Sequence, residues 1–174
     1  MLTKKRYSGA ILYRSTGTVL LQLRDQKRDI SNPGKLTTFG GSARRQETPF
    51  ATLKRELLEE VGLAIQPADC LFLGVYTKRE KKVVTHCHFY AVLDRNHAIS
   101  STTEGQLVTI QTIDAAANDS RISHASLWAL QRFKTLLAVP GAATRRDVPL
   151  GVPATGEDHV RSGPPAPSQG DEDC

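Results

Sequence analysis

Gly41-Ser42-Ala43-Arg44-Arg45-Gln46-Glu47, followed after seven residues by Arg55-Glu56-Leu57-Leu58-Glu59-Glu60-Val61-Gly62-Leu63, decides how this chain is read. The second half lies in a helical pattern over 48–61. Thr48 is suited to cap such a helix, and Pro49 to its first position, where no N–H is needed. Phe50, Leu53, Leu57 and Val61 recur at helical spacing and form one apolar face. Gly62 is placed to end the helix in a left-handed conformation. Beside the apolar face, Glu56, Glu59 and Glu60 stand at i, i+3 and i+4 and share one narrow side. Like charges so placed destabilise a helix by roughly a few tenths of a kcal/mol. They also lie in its C-terminal half, where the dipole disfavours anions. A divalent cation would relieve both, and hard oxygen ligands suit Mg²⁺ or Mn²⁺. Taken alone, the three residues read as a solvated acidic face; their surroundings change that.

Upstream, residues 8–13 and 19–24 are apolar runs separated by Ser15-Thr16-Gly17, a β-hairpin pattern. Residues 24–35 are polar, contain Asn32-Pro33-Gly34 and predict a loop. Residues 36–39 predict a short strand ending at Gly40-Gly41. Downstream, 71–77 and 83–93 predict two longer strands joined by the charged turn 78–82, and 107–110 a further short one. Residues 122–137 predict a second amphipathic helix. The order strands, helix, strands, helix points to a mixed α/β domain with helices packed on a sheet.

The chain has 174 residues, enough for one domain with an ordinary core. After Val139 lie six of the nine prolines and few large apolar residues. The expected organisation is therefore one folded domain over 1–138 and a disordered Pro/Gly-rich tail over 139–174. The net charge is +5; the tail holds three basic and six acidic residues, so it carries −3 and the domain +8. On charge alone that reads as ordinary solubility charge, with an anionic ligand such as a nucleotide or RNA as the alternative. No stretch approaches membrane-spanning length, and the apolar run near the N-terminus is too short for a signal peptide. Cys70, Cys87 and Cys174 show no paired spacing. A soluble, cytoplasmic protein is expected.

The opening stretch matches, at all nine specified positions, the pattern Gly-x5-Glu-x7-Arg-Glu-U-x-Glu-Glu-x-Gly-U, with U aliphatic. The chance of such a match at one start point is below about one in a billion. This is the Nudix box, and the chain resembles that family over roughly 8–137, including Leu20-Leu21-Gln22-Leu23-Arg24-Asp25 before the box and Glu104-Gly105 after it. The resemblance implies an α/β (mixed-sheet α+β) Nudix fold, an α/β/α sandwich. It implies metal-dependent hydrolysis of a diphosphate linkage in a nucleoside diphosphate joined to another moiety. By position, Glu56, Glu59 and Glu60 would ligate Mg²⁺ or Mn²⁺, with the Gly40 carbonyl as a further ligand. Arg55 and Glu47 would form a supporting ion pair that orients the carboxylates. The general base stays open between Glu56 or Glu59 in the box and Glu104 in the later loop, where Glu104 also reads as an ordinary turn acid.

Other residues suggest contacts without fixing them. Arg24, Lys27 and Arg28 suit phosphate or a solvated loop. His86 and His88 share a strand face that lines a cleft or the surface; zinc binding would need further ligands. Trp128 suits packing in the second helix, or stacking on a base. Phe39 stands where many relatives have proline, and Leu36 where tryptophan is often seen, which weakens any inference to enzymes that sanitise oxidised triphosphates. Nucleotide sugars, ADP-ribose, modified triphosphates and dinucleoside polyphosphates all stay candidates. The expected partner is a small-molecule nucleotide, with no membrane and no nucleic acid; a homodimer is left open. The rival functional class is a non-catalytic nucleotide sensor or RNA-binding module.

Overall fold

The computed structural model describes residues 2–139, so the expected tail lies outside the described residues apart from Val139. One seven-stranded mixed sheet is built around the longest N-terminal strand. β1 (Thr3–Tyr13) pairs in parallel along its whole length with β6 (Val83–Leu93). Its other edge is shared: β4 (Phe39–Ser42) pairs antiparallel at Tyr7 to Ala10, and β2 (Val19–Leu23) at Leu12 and Tyr13. β2 also pairs with β3 (Leu36–Thr37) and β7 (Gln106–Ile110), and β5 (Cys70–Glu80) closes the far side against β6.

The period-2 alternation of β1 sends its neighbours to opposite layers. Ala10 and Leu12 face α1 (Pro49–Val61) and pack with Leu53, Leu57, Phe39 and Val92. Ile11 faces the other way and packs with α2 (Ile113–Ala117) and α3 (His124–Ala138) through Ala116, Leu130 and Phe133. A sheet with a fully buried core on both faces, helices on each side, is the expected α/β/α sandwich. Among the described residues no helix is long and apolar enough to cross a membrane.

The helix over 49–61 and its caps fall where the sequence places them. Other elements differ. β1 begins at Thr3 rather than residue 8, because β6 supplies a hydrogen-bonding partner along polar residues that show no apolar signal. The expected strand over 36–39 is two strands interrupted at Thr38, whose N–H donates to Ser126 Oγ on α3 (3.0 Å). The second of them does not end at the glycines but runs through Gly40 and Gly41 to Ser42. β5 extends to Glu80, which shortens the charged turn. α3 starts at His124 with Ser123 as its cap, and α2, capped by Thr112, had no sequence signal because it spans little more than one turn.

Candidate active site

α1 presents its acids over the edge where β4 meets β1. Thr48 accepts the Ala51 N–H (3.2 Å), and Gly62 ends the helix at φ 67°. With Leu53 and Leu57 anchored at zero exposure on the sheet, the rotation of the helix is fixed. The three glutamates then meet different surroundings: Glu60 is 4% exposed, while the side chains of Glu56 and Glu59 are 15% and 51% exposed.

Arg55 is the hub. Its Nε and Nη2 donate to the two carboxylate oxygens of Glu47 (2.8 and 3.0 Å), a bidentate pair. Nη1 donates to Glu56 Oε1 (2.6 Å) and Glu59 Oε2 (3.2 Å), and Nη2 also reaches the Ser42 carbonyl (3.2 Å). Glu47 additionally accepts the Arg44 N–H (2.8 Å) and the Thr52 hydroxyl (3.2 Å). Arg55 foremost, then the Arg44 N–H, hold the Glu47 carboxyl down to about 2. Loop, helix and strand end are thus tied to one guanidinium.

Glu60 has the opposite environment. It accepts the Gly40 N–H (2.8 Å) and has no ion pair among the described residues. Burial above all, with Glu104 and Glu56 adding negative charge, raises its pKa to about 7 against the opposing Gly40 N–H and Arg24. Without metal, this group costs stability. The unfolded state ionises near 4.5 while the folded state holds its proton to about 7, so stability falls as pH rises through that window. The loss is on the order of 3 kcal/mol. His88, whose pKa burial lowers, acts in the reverse sense at overlapping pH. The measurement is therefore a difference: denaturant unfolding in chelator from pH 4 to 8, wild type against Glu60→Gln. The variant should lack most of the decline; parallel curves would refute it.

Gly41 shapes the seat of Glu56. A Cβ at Gly41 would fall 2.2 Å from Glu56 Oε1, so the carboxylate occupies the space a side chain would take. Gly41→Ala should displace the end of that flexible side chain and leave the strand in place. Misplacing a functional carboxylate by about 1 Å costs on the order of a hundredfold in rate. The expected result is a near-native Tm with a loss of turnover of that order; unchanged turnover would remove Glu56 from the site.

The later loop is stitched to the end of α1. Thr103 N–H donates to the Glu60 carbonyl (2.8 Å) and its hydroxyl to the Glu59 carbonyl (3.1 Å). Gln22, buried in β2, donates to the Glu104 carbonyl (3.0 Å), and Arg24 pairs with the Glu104 carboxylate (3.1 Å). Glu104 is thereby brought to Glu60 across a long sequence separation. The sequence assigns no role to Gln22 or Thr103; the one available signal is a glutamine inside an otherwise apolar strand.

The other candidates disperse. Lys27 pairs with Asp25 at an exposed site. His86 contacts the Thr77 hydroxyl (3.2 Å), and His88 Nδ1 is buried with no hydrogen-bond partner among the described residues. Trp128 packs against Tyr76 and Phe89, with ring centroids 5.8 and 6.0 Å away.

Among the described residues no three His, Cys, Asp or Glu side chains converge on a point that would hold a metal ion. Glu56 and Glu59 turn toward Arg55 and Glu60 toward Gly40. The donor chemistry nevertheless fits a hard cation: carboxylates on successive turns, one of them buried with no ion pair among the described residues and destabilised by like charge.

The Nudix domain family model matches residues 3–134. No curated protein matches the chain. Among solved structures, the solution structure of the E. coli ORF135 protein is similar, with TM-score 0.64 and 22% identity over 79% of this chain and 93% of that one. The MutT protein from Methanosarcina mazei Go1 is similar at TM-score 0.63 and 15% identity, covering 79% and 98%. A mutT/nudix family protein from Listeria innocua is similar at TM-score 0.62 and 18% identity, covering 79% and 96%. At these identities the likeness carries the fold.

Proposed function

The chain belongs to the Nudix family, and from that membership and the geometry of α1 we propose that it is a metal-dependent pyrophosphohydrolase. It cleaves a diphosphate linkage in a nucleoside diphosphate joined to another moiety. The observation that carries this reading is the buried Glu60 carboxylate, set beside Glu56 and Glu104 with no ion-pair partner among the described residues. A purely structural acid would be paired or exposed.

Glu56, Glu59 and Glu60, with the Gly40 carbonyl, would hold Mg²⁺ or Mn²⁺. When bound, that cation supplies positive charge to the diphosphate oxygens and makes water easier to deprotonate. Arg55, locked by Glu47, fixes the directions of Glu56 and Glu59. One carboxylate takes a proton from the attacking water as the new P–O bond forms and the anhydride P–O bond breaks, and the departing phosphate carries the electron pair. Glu56 and Glu59 are the candidates within the helix, and Glu104, held by Arg24, is the candidate from the loop.

The test is phosphate release, through a coupled phosphatase, from a panel of nucleoside diphosphate derivatives with Mg²⁺, Mn²⁺ or chelator. Metal-dependent turnover of one compound class, lost in Glu59→Gln, is the expected result. A folded protein that binds nucleotides but turns over none of the panel would overturn it in favour of a sensor.

A further inference from the structure

Cations that composition scatters along the chain gather at one end of the sheet. Past Ser42, β4 leaves β1: the Ala43 N–H still donates to the Arg6 carbonyl (2.9 Å), and the chain then turns toward α1. Among the described residues, the first residues of β1 keep β6 on one edge and have no strand on the other. The gap is a concavity of about 350 Å³, lined by Lys4, Lys5 and Arg6 from β1 and by Arg44 and Arg45 from the loop, with Ser42 between them. Among the described residues, no acidic and no aromatic side chain lines it. Only Arg44 of the five has an ion pair among the described residues, to Glu59 at 3.4 Å. That pair is exposed and worth little. Like charges around one space produce a potential on the order of several kT that an anion would neutralise.

The concavity begins where the carboxylate site ends. Arg44 reaches Glu59, and the Ser42 carbonyl is held by Arg55, which also binds Glu47, Glu56 and Glu59. A ligand whose anhydride lies against those glutamates would therefore meet the cations on one side. With five cations lining it, the part of the ligand that matches it best is anionic. A neutral sugar would leave the charges unmet.

Resting on the hydrolase reading above, we propose that this concavity is a second anion subsite, which receives phosphates continuing beyond the scissile anhydride. The substrates it favours are nucleoside triphosphates and dinucleoside polyphosphates over nucleotide sugars.

The probe is inorganic tripolyphosphate, titrated calorimetrically into the full chain in chelator. Wild type should bind it, and the affinity should fall with added salt. Lys4→Ala/Lys5→Ala/Arg45→Ala, all at exposed positions, should weaken binding by about tenfold or more. Lys5→Gln/Arg45→Gln is a second, milder variant that should weaken it less. Wild-type affinity in both variants, or no binding by wild type, would overturn the subsite. So would tighter binding of an unphosphorylated single-stranded oligonucleotide that the triple variant loses, which would make this a nucleic-acid surface. Hydrolysis separates the two readings. Tripolyphosphate binding lost in the triple variant, with no turnover of any substrate, keeps the subsite and removes the hydrolase. Turnover confined to nucleotide sugars and unaltered in the triple variant removes the subsite and keeps the hydrolase.

Discussion

Glu59→Gln should keep its fold and lose nearly all turnover. Its side chain is half-exposed, and its contacts are to Arg55 (3.2 Å) and Arg44 (3.4 Å) at the protein surface. An exposed i,i+4 pair contributes about 0.3–0.5 kcal/mol, so Tm should shift little. The effect on turnover is of another size. Glutamine keeps the shape and one acceptor oxygen but removes the negative charge. If Glu59 ligates the cation or takes the proton, kcat should fall by roughly a thousandfold or more. Steady-state turnover on the best substrate of the panel, with Tm from circular dichroism, checks both halves. Activity within about tenfold of wild type would sink the assignment. Glu60→Gln makes a useful contrast: neutralising a buried acid relieves its cost in the metal-free protein, so function and stability should move in opposite directions.

How far the site was legible depends on whether its parts are local. The caps of α1, its apolar face and the clustering of Glu56, Glu59 and Glu60 all follow from spacing within one helix. Spacing does not determine that one of these acids is buried and another half-exposed. That depends on where Leu53 and Leu57 set the helix against the sheet. Nor does any local pattern place Glu104 beside Glu60, since the link runs through Thr103 and through Gln22 on a strand far away in sequence. β1 hides in the same manner. Its polar first half becomes strand only because β6 lies alongside, and only then do Lys4, Lys5 and Arg6 line the same concavity as Arg44 and Arg45. Charge counted along the chain reads as solubility; charge placed by the fold gathers at one end of the sheet.

Gly40→Ala should be far more damaging than Gly41→Ala, and the two backbones show why. Gly40 has φ +135°, a conformation L side chains rarely adopt. A Cβ there would lie 2.1 Å from the Ser8 carbonyl oxygen and 2.7 Å from Gly9 Cα. Both obstacles are backbone of β1, the strand against which Gly40 is paired at Gly9. Neither can rotate aside, so β4 must move off β1, and the Gly40 N–H to Glu60 hydrogen bond goes with it. Strain and lost pairing together should cost about 3–5 kcal/mol. Against a total stability of about 5–15 kcal/mol, that is a large share. Tm should drop by roughly 10 °C or more. At Gly41 the obstacle is the end of the Glu56 side chain, which can yield. Thermal unfolding of the two alanine variants side by side should therefore separate them, with Gly40→Ala losing the fold's margin and Gly41→Ala losing only the carboxylate's position. Equal melting temperatures would mean that β4 can slide on β1, and that the close approach at Gly40 does not set the position of Glu60.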